Sequence, residues 1–443
     1  MSKIFIKILK VYLKFLAKIT IRRFKPQVIG ITGSVGKTSA KEAVFAVLSS
    51  RDGNRQKIRK SEGNLNNELG MPLTILGDWS EEDLKLISRG QPVGTKKIKK
   101  FLFWWKVIFV SKIRLIKSFF SNKVVYPKVL ILEYAADRPG DMKYLLGMAK
   151  PNIAIVTAVG EIPSHVEFFS GPDAVAKEKG RLVESLEADG FAILNYDNEA
   201  VISMREKTSA RIISFGFGEG ADMKIGNLEN FSKGPEESLE FGSSFKIEYG
   251  GNLVPMNLKN TFGKAQAYAS AAAACVGLIF DLNLVEISEA LSQNYSPAKG
   301  RMNILKGVKG SYVINDAYNA SPISMQEALE TLSSLEAKRK VAVLGDMLEL
   351  GKYSIEAHES LGRLAAKMTD ILVAVGPRAK FVAEAARSEG FPENKIMVFD
   401  SASEACEPVQ NLIKSGDLVL IKASRAMGLD RIVEEIKEVG PVV

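Results

Sequence analysis

The chain has 443 residues, of which 46% are hydrophobic and 25% are charged, a composition typical of a globular protein with about two or three domains. Its two cysteines and two histidines exclude a multi-histidine metal centre. They also argue against a disulfide framework, a thiolate zinc site and catalysis by a Ser-His-Asp arrangement. The cysteine usage fits a reducing cytoplasm.

The net charge of +9 is concentrated in two segments. Residues 1–26 contain eight Lys and Arg, residues 84–128 contain twelve, and neither segment contains an acidic residue. The remaining residues therefore carry 40 basic and 51 acidic side chains, a balance of −11. This distribution argues against general nucleic-acid binding by the body of the protein, and it indicates a localised anionic partner.

Residues 1–26 are predicted to form a basic amphipathic helix. Lysines recur there every three or four residues, which places them on one helical face, and apolar residues cover much of the rest. No uncharged run is long enough to span a bilayer, and the cleavage site of a secretory signal is not evident. Two interpretations stay open: a helix in the membrane interface, or a helix packed on the protein's own core with its lysines facing water.

The stretch 28–39 is predicted to bind nucleotide phosphate. A short apolar strand leads into a loop with Gly33 and Gly36, and a helical pattern follows Lys37 and Thr38. In such a loop the backbone N–H groups and the helix N-terminus bind the anion, the lysine reaches the terminal phosphates, and the hydroxyl can ligate Mg2+. Because the first glycine of the usual spacing is displaced, an ordinary strand–turn–helix corner is the alternative.

Two further segments before residue 128 have informative compositions. Residues 61–74 form an Asn- and Gly-rich stretch ahead of an apolar run, which can present amides and carboxylates to a ligand. Residues 94–120 interleave lysines with seven aromatic residues, a pattern that suits the bilayer interface. Stacking on single-stranded nucleic acid and a buried core helix are the alternatives for this second segment.

Buried-strand patterns then alternate with helical patterns. They lie at 128–133, 152–159 and 191–194, and residues 210–260 are predicted to form a small antiparallel patch. The first of these strands ends in Glu133, where a Mg2+ ligand would lie in an α/β nucleotide site. His165 follows the second strand. A lone histidine is usually structural, but a position on the same sheet edge as Glu133 makes this one a candidate.

The C-terminal part is predicted to be a second α/β unit. Residues 265–282 are alanine-rich and helical, and residues 297–301 are a plausible hinge. Strands are predicted at 313–316, 341–344, 371–375, 396–399 and 418–421, each separated from the next by a helical pattern. Such alternation implies a mostly parallel sheet with helices on both faces.

An ordered set of motifs resembles the Mur ligases. The motifs are Thr32-Gly-Ser-Val-Gly-Lys-Thr38, Gly63-Asn-Leu-Asn-Asn-Glu68, Glu133, Ser164-His-Val-Glu167, Lys177-Glu-Lys179, Gly300-Arg301, Asn315-Asp-Ala-Tyr-Asn-Ala320 and Gly345-Asp-Met-Leu-Glu-Leu-Gly351. The glycine loop alone is unspecific, whereas the ordered set is specific. The similarity runs from about residue 28 to the C-terminus, interrupted by residues 84–128. It is greatest to the family members that add D-alanyl-D-alanine.

This resemblance implies the domain organisation and the reaction. A P-loop central domain with a mostly parallel sheet would span 27–299, and a C-terminal Rossmann-like α/β domain would span 300–443. The amphipathic helix of residues 1–26 would stand where the family has a uridine-nucleotide-binding domain. The implied enzyme is an ATP-dependent amide ligase that adds a dipeptide, D-alanyl-D-alanine, to a cell-wall peptide precursor through an acyl phosphate.

The resemblance also implies roles for individual residues. Lys37 would hold the β- and γ-phosphates of ATP, and Thr38 with Glu133 would hold a first Mg2+. His165 would help to hold a second Mg2+, supported by Lys179 as a carbamylated lysine. The other expected ATP-binding residues are Gly33, Ser34, Gly36, Ser39, Gln266, Arg301, Asp316, Tyr318 and Asn319.

Two other functions stay open at this point. One is a Mur-type ligase with a lipid-linked or polyglutamate-type acceptor, and the other is a non-catalytic ATP-binding scaffold at the membrane. The basic segments predict an anionic membrane surface as a partner and a cytoplasmic location on the inner face of the plasma membrane. No nucleic-acid partner is expected.

Overall fold

The computed structural model describes residues 3–50, 57–63, 65–87, 97–121, 124–233 and 240–438. Within these ranges the chain forms two sheets flanked by helices, preceded by a long N-terminal helix. The predicted α/β class is therefore confirmed. Parts of the predicted basic segments, including residues 88–96 and 122–123, lie outside the described residues.

The first sheet carries the predicted phosphate loop. Its strands are β1 (Gln27–Thr32), β2 (Ile58–Lys60), β3 (Val129–Glu133), β4 (Ile153–Val156), β5 (Phe191–Asn195), β6 (Arg211–Gly216), β7 (Met223–Lys233), β8 (Glu240–Tyr249) and β9 (Asn252–Lys259). Their spatial order is β2-β3-β1-β4-β5-β6-β7-β8-β9. The pairs from β2 to β7 are parallel, whereas β8 pairs antiparallel with β7 and with β9. The antiparallel patch predicted for 210–260 is thus right for β7 to β9 and wrong for β6, which continues the parallel sheet.

Helices cover both faces of this sheet, as its fully buried parallel strands require. They are α2 (Lys37–Ser49), α6 (Asp141–Leu146), α7 (Pro172–Glu184), α8 (Glu199–Ile202), α9 (Lys264–Ile279) and α10 (Leu284–Asn294). Six of the seven alanines of α9 are buried against α2 and the sheet. Small side chains let these two helices approach closely, which fixes α2 and the loop at its N-terminus.

A group of three helices packs beside the first sheet, and we call it the helical platform. It consists of α1 (Lys3–Phe24), α3 (Gly70–Leu76) and α5 (Lys97–Phe120), and the short α4 (Glu81–Lys85) adjoins it. Leu13 of α1, Leu73 of α3 and Val107 of α5 are buried in one apolar core. The prediction of a helix packed on the protein's own core is therefore right for one side of α1. None of the helices in the described ranges is long and apolar enough to cross a bilayer.

The second sheet forms the C-terminal part. Its strands are β10 (Asn303–Gly307), β11 (Ser311–Asn315), β12 (Arg339–Gly345), β13 (Ile371–Val375), β14 (Ile396–Phe399) and β15 (Asp417–Lys422). Their order is β10-β11-β15-β12-β13-β14, and all neighbours are parallel except the antiparallel pair of β10 and β11. The flanking helices are α11 (Pro322–Ser334), α12 (Ser354–Met368), α13 (Ala379–Ser388), α14 (Ala402–Leu412) and α15 (Asp430–Ile436). The predicted mostly parallel second sheet is confirmed.

Candidate active site

The glycine loop joins β1 to α2, and its backbone geometry depends on two glycines. Gly36 has φ +83° and Gly33 has φ +146°, a region that L side chains rarely adopt. A Cβ at position 33 would also lie 2.1 Å from Oγ1 of Thr157, directly after β4. No larger residue fits there. The loop is thereby held against the β4 edge with its N–H groups at the N-terminus of α2, an anion-binding arrangement.

Lys37 lies over this loop. Its Nζ donates hydrogen bonds to the carbonyl oxygens of Gly33, at 2.6 Å, and Ser34, at 3.3 Å. Burial lowers the pKa of Lys37, although the nearby carboxylates of Glu133 and Asp137 favour its cation. The Ser34 hydroxyl is buried without a hydrogen-bond partner among the described residues. A lysine and an unsatisfied hydroxyl therefore meet at the loop, as a phosphate site requires.

A second lysine of α2, Lys41, lies behind the loop and was missed by the sequence reasoning. Its Nζ is 3.2 Å from Oε1 of Glu133 and donates a 2.7 Å hydrogen bond to the carbonyl of Ser61. Burial opposes the Lys41 cation, but the charges of Glu133 and Glu42 outweigh it and raise the pKa of Lys41. Lys41 could have been predicted as a site residue, because a residue four positions after Lys37 lies on the same helical face.

Glu133 ends β3 as predicted and is 1% exposed. Burial opposes its charge, but the charges of Lys41, Arg301 and Lys37 hold the pKa of the carboxyl below its ordinary value. Although Lys41 is close, Oε1 of Glu133 has no partner with hydrogen-bond geometry in the described part of the chain. Asn66 Nδ2 approaches the other oxygen, Oε2, at 3.5 Å. Oε1 is therefore held by the charge of Lys41 at 3.2 Å, and the carboxylate keeps lone pairs that a bound cation could use.

The residues around Glu133 suit a magnesium–nucleotide complex better than a metal held by protein alone. In the ranges that the structure describes, no three His, Cys, Asp or Glu side chains are grouped closely enough to hold a metal. Mg2+ commonly binds one or two protein oxygens and completes its coordination with phosphates and water. A carboxylate oxygen of Glu133 and the hydroxyl of Thr38, the second residue of α2, fit that donor set.

His165 connects the two halves of the molecule. Its Nε2 lies 3.3 Å from Oδ1 of Asp137, and its Nδ1 contacts the carboxylate of Glu349. Asp137 follows β3, whereas Glu349 belongs to the 345–351 motif after β12. The sequence reasoning missed both carboxylates. The Glu349 contact could not be found from a local pattern, because it joins the two sheets.

Lys179 of α7 is a buried lysine whose charge has few stabilising contacts. It is 2% exposed, and its Nζ lies 3.5 Å from the carbonyl oxygen of Ala136. The described residues offer it no ion pair within 4 Å. Burial, assisted by the charge of Lys37, lowers the pKa of Lys179 to about 7. A substantial share of the amine is therefore neutral, and nucleophilic, at neutral pH.

A cleft lies between the first and second sheets. Predicted ATP-binding residues from both sides line it: Ser34, Gly36, Ser39, Gln266, Arg301, Asp316, Tyr318 and Asn319. The remaining predicted members, Gly33, Lys37 and Thr38, belong to the adjoining glycine loop. The fold thus brings together residues that are almost 300 positions apart.

The C-terminal wall of the cleft is held by a short network. The Arg301 guanidinium lies over the Tyr318 ring, 4.4 Å from its centroid. Lys422, at the end of β15, donates to Oδ2 of Asp316 at 2.5 Å and to the carbonyl of Asn319 at 2.9 Å. Lys422 also lines the cleft and was missed by the sequence reasoning. Lys422 could have been predicted from its position, because it is a lysine at the end of a buried strand.

Comparison with known proteins agrees with this architecture. Residues 106–277 match the Mur ligase middle domain, and residues 300–425 match the Mur ligase glutamate ligase domain. The UDP-N-acetylmuramoyl-tripeptide–D-alanyl-D-alanine ligase of Mycobacterium leprae is 30% identical over 425 residues, which are 91% of this chain and 72% of that protein. The ligase of the same name from Bacillus subtilis is 28% identical over 433 residues, 96% of this chain and 79% of that protein.

Solved structures show the same fold. MurF from Acinetobacter baumannii superposes with a TM-score of 0.74 at 24% identity, covering 96% of this chain and 80% of that one. MurF from Thermotoga maritima in complex with ADP superposes with a TM-score of 0.72 at 24% identity, covering 96% and 83%. The motifs, the two matched domains and the relatives together show that the chain belongs to the Mur ligase family.

Proposed function

We propose that this chain is an ATP-dependent amide ligase that joins D-alanyl-D-alanine to a peptide-linked cell-wall precursor. The observation that carries the proposal is the buried, charged carboxylate of Glu133 beside the Lys37 phosphate loop, in a cleft that the C-terminal part completes. Phosphoryl transfer depends on positioning and charge neutralisation rather than on a nucleophilic side chain. The curated relatives named above carry this activity in their names.

The reaction has two steps. A carboxylate oxygen of the acceptor peptide attacks the γ-phosphorus of ATP, and ADP leaves, so that an acyl phosphate forms. The amine nitrogen of the dipeptide then attacks the acyl carbon, loses a proton, and the tetrahedral intermediate expels phosphate that retains one acceptor oxygen. Lys37 and the N–H groups of the loop neutralise the charge that develops on the β- and γ-phosphates.

The metal-binding roles are also part of the proposal. Thr38 and Glu133 would hold a first Mg2+, and His165 with Lys179 would hold a second. Bound Mg2+ neutralises phosphate charge during the transfer. The neutral amine of Lys179 supports its carbamylation: its nitrogen bonds to the carbon of CO2 and loses a proton, which gives an anion that can assist a cation.

The C-terminal wall would complete the ATP site. We assign ATP contacts to Arg301, Asp316, Tyr318 and Asn319, with Gln266 near the base. The boundary between a central domain at 27–299 and a C-terminal domain at 300–443 stays part of the proposal. Movement about residues 297–301 would close the cleft and exclude water from the acyl phosphate.

The ligase proposal is tested by the dependence of ATP turnover on both substrates. ADP and phosphate release should require the acceptor tripeptide precursor and D-alanyl-D-alanine together. Lys37→Met should abolish it, whereas Lys177→Met, an exposed change on α7, should not. ATP turnover that is indifferent to the dipeptide would contradict the proposal and favour the scaffold interpretation.

We also propose that the helical platform lies on an anionic membrane surface, which would place the enzyme at the inner face of the plasma membrane. Twelve of the eighteen exposed large hydrophobic side chains of the described residues belong to α1 and α5, so the exposed apolar surface is concentrated there. On α1 the exposed stripe is Ile4, Ile8, Val11 and Phe15, followed by Lys18 and Arg22. On α5 it is Ile98, Leu102, Trp105, Phe109, Ile116 and Phe119.

The two helices present these stripes side by side. The rings of Phe5 and Phe101 lie 5.8 Å apart near the helix starts, and Arg23 donates to the carbonyl of Ser118 near the helix ends. α1 and α5 are therefore parallel neighbours. Six of the twelve exposed hydrophobic side chains on the two helices are aliphatic and offer no ring face for stacking, which favours lipid over nucleic-acid bases. Self-association of the chain through this surface is disfavoured, because it would bring lysines of one copy next to lysines of the other. Neither basic segment contains an acidic residue that could pair with them.

Vesicle flotation tests the membrane proposal. The protein should float with anionic vesicles, less with neutral ones, and less at high salt. Val11→Glu should reduce flotation, whereas Val285→Glu on α10, with similar exposure at 56% against 64%, should not. Equal flotation of the two variants would refute docking through the platform.

A further inference from the structure

Residues 61–63 and 65–69 connect the helical platform to the candidate active site. On the platform side, Leu65 and Leu69 pack against the platform's apolar core. Glu68 forms a 2.6 Å ion pair with Lys10 of α1. The platform therefore holds this loop both by apolar packing and by charge.

The other side of the same loop touches the site. The carbonyl of Ser61 accepts from Lys41, the partner of Glu133. The side chain of Asn66 approaches Glu133, and the backbone carbonyl of Asn66 accepts a 3.1 Å hydrogen bond from Ala135 N. A displacement of the platform would therefore move groups that contact the candidate metal carboxylate.

A second connection runs from α1 to the Lys179 side of the site. Lys14 Nζ donates to the carbonyl of Tyr144 in α6 at 3.1 Å and lies 3.9 Å from the Tyr144 ring centroid. The N-terminal end of α6 is hydrogen-bonded to Glu178, the residue before Lys179: Met142 N donates to Oε1 of Glu178 at 2.9 Å. α1 thus supports the site on two sides.

The exposed stripe of α1 points away from these inner contacts. Leu9, Leu13 and Ala17 are buried, whereas Ile8, Val11 and Phe15 are exposed, so the two sets occupy different helical faces. A helix with its side chains is about 10 Å across. The surface proposed to meet the bilayer therefore lies about one helix diameter from the loop that reaches Glu133.

We infer that the acceptor is a peptide carried on a membrane lipid through an anionic headgroup, presented to the site along residues 61–63 and 65–69. This inference rests on the proposed ligase function. It rests also on the proposed contact of the platform with the bilayer, because a soluble acceptor would gain nothing from a site loop held by such a platform. Docking instead confines the enzyme and a lipid-borne acceptor to one surface, which raises their effective concentration.

The test compares two forms of one precursor peptide with the full-length protein, ATP and D-alanyl-D-alanine. One form is UDP-linked in solution, and the other is lipid-linked in anionic vesicles; the amide product is measured. We expect kcat/KM to be about tenfold or more higher for the lipid-linked form. Empty vesicles should not increase turnover of the UDP-linked form.

The variants Val11→Glu and Val285→Glu provide a matched comparison. Val11→Glu should lower the ratio of lipid-linked to UDP-linked turnover by about tenfold, and Val285→Glu should keep the wild-type ratio. Because the ratio is taken within each variant, a general loss of folded protein cancels. Equal use of both acceptors, or equal stimulation of the UDP-linked form by empty vesicles, would overturn the inference while the ligase function stands. Failure with both acceptors would refute the ligase function itself.

Discussion

Replacing Lys41 by Met would remove the main cation that faces buried Glu133. Both side chains are 1% exposed, and Lys41 Nζ lies 3.2 Å from Oε1 of Glu133. Loss of one partner of a buried ion pair costs about 3–5 kcal/mol, because the remaining charge stays buried. Arg301 and Lys37 still favour the charged form of Glu133. We therefore expect the free energy of unfolding to fall by about 3 kcal/mol, the lower end of that range.

The loss is measured as the free energy of unfolding from hydrogen exchange of the β3 amides in urea, which reports on this sheet alone. Lys224→Met is the control, since its partner Glu219 is 88% exposed and such pairs contribute about 0–1 kcal/mol. Adding Glu133→Gln to Lys41→Met should recover about 1 kcal/mol or more, because no unpaired charge remains.

The acid side of the stability profile gives a second readout. The pKa of Glu133 is lowered in the folded protein, so its contribution to stability is full above the ordinary carboxyl pKa and is lost as pH falls through the folded pKa. In Lys41→Met this loss should begin at a higher pH. A Lys41→Met cost below about 1 kcal/mol, with an unchanged acid profile, would refute the assigned ion pair.

Three other predictions follow from the site. Gly33→Ala should weaken ATP binding by about tenfold or more in calorimetry, because the new Cβ would meet Thr157; unchanged affinity would refute the loop geometry. Lys179→Ala should lower kcat by about a hundredfold, whereas Lys177→Ala should not, and equal effects would refute the metal-supporting role. Because the pKa of Lys179 is lowered to about 7, the 13C-labelled carbamate of Lys179, followed by NMR, should form faster at higher pH. The free energy of unfolding should also rise with pH, from about pH 7 towards the ordinary pKa of lysine. A rate of carbamate formation independent of pH would refute the lowered pKa of Lys179.

The parts of the site that are local in sequence were predictable. The glycine loop needs only a strand, two glycines and a helix start, all within residues 28–39. Glu133 could be placed because parallel strands end at one sheet edge. The alternation of strands with helices likewise predicted most of both sheets, but not the edge strands β2 and β10 or the parallel pairing of β6.

The parts that depend on tertiary contacts were not predictable. Lys41 resembles any helical lysine until α2 packs beside β3, and only then does it meet Glu133. The contact of His165 with Glu349 requires the relative placement of two sheets. In the same way, each basic segment could be interpreted as membrane-binding or as core-packed. The structure shows one apolar face of α1 buried and the other exposed, because α3 and α5 cover it from one side only.

The central claim is that ATP activates the acceptor carboxylate as an acyl phosphate. The direct measurement uses a precursor whose terminal carboxylate carries 18O, with ATP, Mg2+ and D-alanyl-D-alanine, and analyses the released phosphate by mass spectrometry. If an acyl phosphate forms, each amide bond made transfers one 18O from the acceptor to phosphate. Amide formation with no 18O in the phosphate would contradict this account.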